Sequence, residues 1–485
     1  MLFARTAGLP ANGINLSAVQ LLIWYRQGSI SSEKSARLWP QENQVKTQRR
    51  MITAHYVSHV SECQRRWEAA LQAEGYDAAL IHAGSLITSF MDDYHYPFRP
   101  NPHFLQWLPL THHEESALLI RPGRQARLWY YQPDDYWYLP PADPESWWAE
   151  QFDVKAVREA DAWQSELPPG RVVFVGDAPS LAAQPESDVN PARLINRIHL
   201  DRTVKTEYEI ACIAEANRVA AISHRAADQA FREGCSEYQI HQRYCQAGGQ
   251  LDYQLPYGNI VALNRHGAVL HYQDRDREAP AEFRSFLIDA GATRQGYASD
   301  ITRTYSANGG EFGEMISVMD EVQQSLCDSV RAGLDYRELH LEAHQKIATV
   351  LGQFGLIKIS AESAVESGLS SVFFPHGLGH FLGLQTHDVA GLIADVDGTP
   401  IPRPDGHPFL RLTRVLEPGN VLTVEPGLYF IDTLLEKWKV NGDAGAVNWD
   451  KVETLAPCGG IRIEDNVVVT DGEPVNLSRQ AFARL

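Results

Sequence analysis

Three apolar, β-rich runs in the second half of the chain carry carboxylates, and this pattern constrains the fold more than any other feature. The runs cover residues 286–289, 421–425 and 461–467, and each places an Asp or Glu where a hydrophobic strand would not need one. Carboxylates that are held close together repel one another unless a cation or a proton lies between them. The pattern therefore predicts strands that meet at one shared site.

The first run ends on Asp289, and a second run begins at Asp300 after a glycine-containing turn. Two such runs predict a hairpin. Because alternate residues of a strand share a face, Asp289 and Asp300 can point into the same space from neighbouring strands. The alternative is that one of the two aspartates only caps a turn.

A glycine-rich segment between these runs, residues 375–388, contains His376, His380 and His387. It is a poor helix and a poor strand, and its glycines allow the backbone to approach a site closely. A single histidine is more often a hydrogen-bonded structural residue than a ligand. Three histidines in one glycine-rich loop favour a functional site.

The other two carboxylate-bearing runs predict a pair of strands near the end of the chain. Residues 421–425 run into a Pro-Gly turn, which predicts that Glu425 lies at the mouth of its strand. Residues 461–467 alternate, so Arg462 and Glu464 are expected on one face of a strand. Taken alone, an Arg/Glu pair would indicate a solvent-exposed strand face.

Asp289, Asp300, Glu425 and Glu464 with one of the histidines give four carboxylates and one imidazole, and further His and Arg residues lie nearby. Such a set suits Mn²⁺, Co²⁺ or Zn²⁺ better than a metal that prefers thiolates. One metal does not need four carboxylates. Two metals about 3.5–4 Å apart could share bridging carboxylates. The composition therefore predicts a dinuclear metal site.

The bulk composition limits the remaining possibilities. The 485 residues are too many for one ordinary core and predict two domains. A net charge of −18 argues against nucleic-acid and anionic-membrane partners, which need a basic surface. The six cysteines form no C-x-x-C pair, so we expect reduced thiols in a cytoplasmic protein. No apolar run reaches membrane length, so we expect no membrane anchor.

Composition and periodicity divide the chain into three parts. Residues 1–50 are basic, whereas the rest is strongly acidic, and we predict a disordered extension there; a genuine variable tail is the alternative. Residues 51–204 read as a small α/β domain, with a first helix that ends at Gly75 and short strands. Residues 205–485 form the second domain, whose first helix begins with a capping box at Thr206 and Glu209. Further helices are predicted over residues 314–331 and 337–354.

An aromatic, proline-rich stretch over residues 91–109 interrupts the first domain. Because Pro97, Pro100 and Pro102 oppose regular structure, we predict a long loop without a regular helix or central strand. A loop with this much aromatic surface usually docks on something.

The order and spacing of these motifs resemble those of the pita-bread metallopeptidases. Asp289 and Asp300 are separated by ten residues and are followed by His-Gly-Leu-Gly-His, Val-Glu-Pro-Gly and Arg-Ile-Glu-Asp. The details are similar to bacterial prolidases, including those also described as organophosphorus acid anhydrolases, over about residues 58–471. The resemblance implies an α+β chain, in which a creatinase-like N-terminal α/β domain precedes a pita-bread catalytic domain.

The same resemblance implies a role for each matched position. Asp289 would bind one metal, Asp300 and Glu464 would bridge both, and His380 and Glu425 would complete the second. Glu425 would also transfer protons, and the substrate would be contacted or positioned by His271, His376, His387, Arg411, Arg462 and Tyr257. Asp93 and Trp107 would reach the active site of a neighbouring subunit, which implies a homodimer.

The implied activity is hydrolysis of dipeptides that end in proline or hydroxyproline, through a hydroxide activated by two divalent ions, most simply Mn²⁺ with Co²⁺ or Zn²⁺ as alternatives. The same hydroxide could attack organophosphorus esters. An aminopeptidase for longer Xaa-Pro peptides and an inactive peptide-binding module are the competing functions. Arg411 and the aromatic loop favour a closed, dipeptide-sized pocket, and no expected metal ligand is missing.

Overall fold

The structure, a computed structural model, describes residues 42–185 and 188–485, and residues 49–485 form one compact unit. The helices are α1 Glu42–Glu74, α2 Pro102–Trp107, α3 Ser146–Ala149, α4 Ala192–Arg202, α5 Glu207–Arg232, α6 Glu237–Gly248, α7 Gly310–Asp328, α8 Tyr336–Gln353, α9 Ala361–Glu366, α10 Ser370–Phe373, α11 Asp432–Asn441, α12 Trp449–Leu455 and α13 Leu477–Ala483. The strands are β1 Ala78–His82, β2 Ala117–Ile120, β3 Arg127–Tyr131, β4 Asp153–Val157, β5 Val172–Val175, β6 Ile260–Leu263, β7 Ser285–Asp289, β8 Thr293–Arg294, β9 Tyr297–Ala298, β10 Thr302–Ser306, β11 Val421–Val424, β12 Gly427–Tyr429, β13 Gly460–Arg462, β14 Asp465–Val468 and β15 Val475–Asn476.

Helix α1 begins inside the predicted extension. Residues 1–41 of the predicted extension lie outside the described residues, but residues 42–50 are helical. Lys, Gln and Arg, which are frequent in this stretch, have high helix propensity, so its sequence is compatible with a helix. At its other end the helix stops before Gly75, whose positive φ of 73° confirms the predicted glycine stop.

The N-terminal half is built on a mixed sheet in the order β4-β3-β2-β1-β5. Strand β1 is an interior strand and is wholly buried, pairing parallel with β5 and antiparallel with β2. These strands confirm the short strands predicted for this part of the chain. Helix α1 covers the sheet by burying Tyr56, Cys63 and Trp67 in the same core as Ile81.

The aromatic, proline-rich stretch contains helix α2, so the prediction that it forms no regular helix is wrong. Pro102 occupies the first turn, where its missing N–H costs no hydrogen bond. The Asn101 side chain accepts a hydrogen bond from the backbone N–H of His103 at 2.9 Å and caps the helix. Proline therefore starts this helix, while the preceding residues 90–96 include exposed aromatic side chains.

Helix α5 begins at the predicted capping box. The Glu209 carboxylate accepts from the Thr206 N–H at 2.8 Å, and the Thr206 hydroxyl accepts from the Glu209 N–H at 3.4 Å. Tyr208 and Cys212 then pack into the core that also holds α1. The two predicted domains consequently share a hydrophobic core, and their boundary near residue 205 stays a prediction.

The C-terminal half, residues 205–485, brings several small sheets together. Strands β10, β7 and β6 form an antiparallel sheet, β11 pairs with β14, and β12 pairs with β13. Single bridges join Thr302 to Glu464 and Phe381 to Leu422. The predicted helices of this half lie at α7 and α8, within a few residues of their expected bounds. The mixture of helix and sheet confirms the α+β class.

Two chemical expectations can be checked on the same structure. All six cysteines are free thiols, as predicted from their spacing. Across residues 42–185 and 188–485, no helix combines the length and apolar character that a bilayer crossing requires.

Candidate metal and catalytic site

Strands β7 and β10 hold the first two carboxylates. The strands pair antiparallel with Asp289 opposite Thr302, which confirms the predicted pairing, although the short hairpin β8–β9 lies within their connection. Asp300 precedes β10 by two residues. The Tyr257 hydroxyl donates to Asp289 Oδ1 at 2.7 Å and also contacts Asp300 Oδ1. The structure therefore brings Asp289 and Asp300 within reach of one hydroxyl group.

Glu464 joins this pair from another sheet. Its carboxylate accepts from the Thr302 hydroxyl at 2.7 Å, and its backbone N–H donates to the Thr302 carbonyl at 3.1 Å. The continuous strand predicted over residues 461–467 is wrong, because β13 ends at Arg462 and β14 begins at Asp465. The chain changes its partner there, from β12 to β11. Arg462 and Glu464 nevertheless share a face, since both contact the Thr302 hydroxyl.

His380 and Glu425 come from two segments that run side by side. The Glu425 N–H donates to the Leu378 carbonyl at 2.8 Å, and the Thr423 N–H donates to the His380 carbonyl at 2.9 Å. Gly379 must be a glycine, because a Cβ there would overlap the Thr423 carbonyl oxygen. His380 Nε2 consequently lies 3.4 Å from Asp300 Oδ2 and 3.7 Å from Glu425 Oε1.

Burial dominates the electrostatics of this cluster. It raises the pKa of Asp289 and Glu464, and it raises the pKa of Glu425 to about 7. Burial also opposes ionisation of Asp300, but His380 and Tyr257 outweigh it and lower the pKa of Asp300. Four carboxylates in one buried space therefore need positive charge if they are all to ionise.

The donor set fits divalent metal ions. Ligand atoms of Asp300, His380 and Glu464 lie within 4.8 Å of one another. His380 Nδ1 donates to the Phe381 carbonyl at 2.9 Å, which leaves the Nε2 lone pair free to bind a metal. Carboxylate oxygens with a single imidazole are suitable ligands for Mn²⁺, Co²⁺ or Zn²⁺.

Arg462 lies behind the carboxylates. Its guanidinium donates to Asp289 Oδ2 at 2.8 Å and to the Tyr429 hydroxyl at 2.8 Å, and its side chain is 5% exposed. Asp289 is thus held on one oxygen by Tyr257 and on the other by Arg462. The resemblance assigns Arg462 to the scissile region of the substrate. In this structure Arg462 instead holds Asp289, a candidate metal ligand.

His376 and His387 flank the carboxylate cluster. His376 Nδ1 donates to the Gly377 carbonyl at 2.9 Å, so Nε2 accepts from the Tyr429 hydroxyl at 2.8 Å. The His387 ring stands edge-on to that of His380, with 4.4 Å between centroids. Burial lowers the pKa of His376 to about 3 and that of His387 to about 4, so both imidazoles are neutral at pH 7.

A cleft of ≈ 1320 Å³ opens onto the site, and Asp289, Asp300, Tyr257, His271 and His387 line it together with residues of the aromatic stretch. This volume exceeds the roughly 300–1,000 Å³ of a typical small-ligand pocket, so size alone does not limit the substrate to a dipeptide.

Arg99 of the aromatic stretch also lines the cleft. Its guanidinium donates to the carbonyls of Leu255 and Pro256, at 2.7 and 2.9 Å, beside Tyr257. Sequence reasoning missed this contact, and nothing in the local pattern indicated it.

Five of the expected substrate residues are not in the cleft wall: His376 and Arg462 lie beside and behind the carboxylates, and Arg411, Asp93 and Trp107 lie elsewhere. Arg411 is exposed, although its charge helps to lower the pKa of His387. Asp93 is also exposed. Helix α2 turns the Trp107 side chain into the N-terminal core, where it is 0% exposed, and its role at a neighbouring active site stays a prediction.

A buried ion cluster beside His387 was also missed. Asp388 accepts from Arg202 and from Lys205, each at 2.8 Å, and the three side chains are at most 2% exposed. Arg202 ends α4, so the cluster ties the His387 segment to the connection between the two halves. Asp388 ends the histidine-rich motif. Its position directly after His387 is the sequence feature that could have identified it as a functional residue.

Comparison with known proteins identifies the family. Residues 54–200 match the N-terminal domain of Xaa-Pro dipeptidase, and residues 211–471 match metallopeptidase family M24. The chain is 49% identical to an Xaa-Pro dipeptidase of Stenotrophomonas maltophilia over 433 residues, which are 89% of this chain and 98% of the relative. It is 50% identical to that of Xanthomonas campestris pv. campestris over 437 residues, with the same coverage.

Solved structures agree in fold. Zinc-substituted Escherichia coli aminopeptidase P in complex with product is 25% identical and has a TM-score of 0.65, with 87% of this chain and 95% of that chain covered. Proline aminopeptidase P II from Yersinia pestis, at 24% identity, a TM-score of 0.64 and coverage of 87% and 96%, shares the fold. The chain belongs to metallopeptidase family M24, and within it to the Xaa-Pro dipeptidases.

Proposed function

We propose that the chain hydrolyses Xaa-Pro dipeptides, with proline or hydroxyproline at the C-terminal position, as a metal-dependent dipeptidase. The convergence of Asp300, His380 and Glu464 in one buried cluster carries this proposal. Relatives about half identical over 98% of their length, all Xaa-Pro dipeptidases, support the substrate class.

Asp289 would hold one divalent ion, His380 and Glu425 a second, and Asp300 and Glu464 would bridge both. Mn²⁺ is the proposed ion, and Co²⁺ or Zn²⁺ would also suit the donor set. Such ions, when bound, make hydroxide available near neutral pH.

The protein side chains would handle the protons. A carboxylate beside the bound ions can accept a proton and return it. Glu425 would therefore take the proton of the attacking water and deliver it to the proline nitrogen. Neutral His387 retains one N–H, which can donate to the carbonyl oxygen as negative charge develops there. His376, whose ring nitrogens are both hydrogen-bonded, would hold Tyr429 and, through it, Arg462.

Substrate selection would depend on charge as well as on size. The cleft has room for more than a dipeptide. An exposed cation beside His387 can pair with a free proline carboxylate, which a longer peptide lacks at that position, and Arg411 is suited to this role. Tyr257 and His271 would form walls of the substrate pocket.

The test compares Leu-Pro with the tripeptide Leu-Pro-Gly in the presence of Mn²⁺. We expect efficient cleavage of the dipeptide and poor cleavage of the tripeptide. Replacing Arg411 by Met should raise KM for Leu-Pro by about tenfold or more, since the loss of a charge-assisted contact costs about 1.5–3 kcal/mol. The matched variant Arg124→Met, at another exposed arginine, should leave KM unchanged. Equal cleavage of both peptides would favour an aminopeptidase instead.

Three finer properties belong to the same proposal. We infer a cytoplasmic homodimer in which exposed Asp93 lies near a neighbouring active site, and a side activity on organophosphorus esters, for which the cleft has room. Light scattering measures the mass of the proposed dimer. Asp93→Ala should lower dipeptidase activity if Asp93 belongs to a shared site. Removal of the metals should abolish phosphotriester hydrolysis together with dipeptidase activity.

A further inference from the structure

Three histidines outside the carboxylate site pack against one another in the C-terminal half. Helix α8 places His340 and His344 one turn apart on one face, and His407 of a downstream loop contacts both. The ring centroids are 4.7 Å apart for His340 and His344, 4.7 Å for His340 and His407, and 4.4 Å for His344 and His407. The two helical histidines are 1% exposed, and His407 is half-buried.

Hydrogen bonds do not satisfy this cluster. His340 Nε2 and His407 Nδ1 share one hydrogen bond of 3.0 Å, and His344 Nδ1 pairs with the Ser370 hydroxyl at 3.0 Å. His340 Nδ1 and His344 Nε2 are buried and have no hydrogen-bond partner in the described part of the chain. Buried polar atoms are normally paired, so these two ring nitrogens are available to bind a ligand.

The charges around the three rings favour a cation held by neutral imidazoles. The groups that act on His340 and His344 are burial and other histidines, and these lower the pKa of His340 to about 2 and that of His344 to about 3. Both rings therefore keep a lone pair at neutral pH. One ring nitrogen from each of the three residues lies within 4.8 Å of the others. With Nδ1 engaged by Ser370, His344 can offer Nε2.

We propose that His340, His344 and His407 bind one Zn²⁺-like transition-metal ion, distinct from the carboxylate site. Three imidazoles suit Zn²⁺, Ni²⁺ or Cu²⁺, whereas Mn²⁺ prefers oxygen ligands. Three protein ligands leave a fourth position of a tetrahedral zinc site for water, which can reach it from the half-exposed side of His407. The two metal sites of the chain would thus differ in their donor atoms, with imidazoles here and mostly carboxylates at the other site.

The site has a structural consequence that rests on the proposed function. The loop that contains His407 continues to Arg411, and Arg403 Nε donates to the Leu410 carbonyl at 2.6 Å within it. A Cβ at Gly377 would lie 2.8 Å from Leu410 Cα, so this loop packs closely beside His376. An ion that joins His407 to α8 would hold the Arg411 loop in place.

Metal counting tests the site without any activity measurement. The full chain carrying Asp289→Asn and Asp300→Asn, which impairs the carboxylate site, is treated with a chelator, equilibrated with Zn²⁺ and desalted. We expect one Zn²⁺ per chain, with nitrogen ligands by X-ray absorption. Adding His407→Ala should remove this ion, while His55→Ala, at another half-buried histidine, should retain it.

The outcomes are decisive in either direction. Absence of Zn²⁺ from the Asp289/Asp300 variant, or retention of Zn²⁺ after His407→Ala, would show that the cluster is only a histidine contact. Circular dichroism checks folding, and His407→Gln, which keeps a side chain of similar size, must give the same loss. In the otherwise native enzyme, His407→Ala should raise KM for Leu-Pro severalfold with little change in kcat. If the zinc count falls but KM does not, the ion binds without supporting the Arg411 loop.

Discussion

Replacing Asp388 by Ala should destabilise the protein strongly, although Asp388 is not a proposed ligand. The change removes the carboxylate that pairs with Arg202 and Lys205 and leaves both cations buried. Removing one partner of a buried ion pair costs about 3–5 kcal/mol, because an uncompensated charge remains inside. That is a large part of the roughly 5–15 kcal/mol that stabilises a typical native protein. His387, the residue before Asp388, should also lose its position, so kcat should fall.

The two cations also set the pH dependence of this effect. Burial opposes ionisation, but Lys205 and Arg202 outweigh it and lower the pKa of Asp388 in the folded state. Stability from this carboxylate is therefore fully present above the unfolded pKa of about 3.9, and it is lost as the pH falls through the lower folded pKa. The difference between wild type and Asp388→Ala should shrink over that acidic window.

Urea unfolding of the metal-free proteins at pH 7, followed by fluorescence, measures the effect as a shift of the midpoint. Replacing all three residues by apolar side chains should recover most of the stability, since no charge is left unpaired. The exposed pair of Arg265 and Asp432 provides the control, and Asp432→Ala should cost less than about 1 kcal/mol. If Asp388→Ala unfolds at the same urea concentration as wild type, or the triple variant is no more stable than the single one, the reasoning about buried charge is refuted.

Three further changes test the site. Glu464→Gln should lower Mn²⁺ occupancy and Leu-Pro turnover together, measured by metal analysis and rate; unchanged occupancy and turnover would contradict its assignment as a bridging ligand. Gly379→Ala should destabilise the chain by about 1–3 kcal/mol in thermal unfolding, because the added Cβ would meet the Thr423 carbonyl. The control Gly352→Ala should stabilise the chain by about 0.5–1 kcal/mol, because this helical position in α8 faces open space. Thr302→Val removes the hydroxyl between Arg462 and Glu464 and should lower kcat more than it raises KM; an unaltered rate would show that this hydroxyl does not position the carboxylate.

Local patterns were sufficient wherever one element decides the geometry. Strand alternation and a short connection predicted that Asp289 and Asp300 would meet, and the Pro-Gly turn placed Glu425 at the end of its strand. The capping box at Thr206 depends on four consecutive residues and was equally readable. Proline in residues 91–109 was misread, because its effect depends on position and Pro102 stands in the first turn of a helix.

The sequence by itself determined which residue types are available for metal chemistry and the order in which the chain presents them. Only the tertiary structure decided how they are supported. Residues 461–467 alternate equally well as one strand, but their pairing with two different partners breaks that strand between Arg462 and Asp465. The pairing of Asp388 with Arg202, and that of His407 with His340, join residues far apart in the sequence. Such contacts depend on how separate elements pack, which no local period encodes.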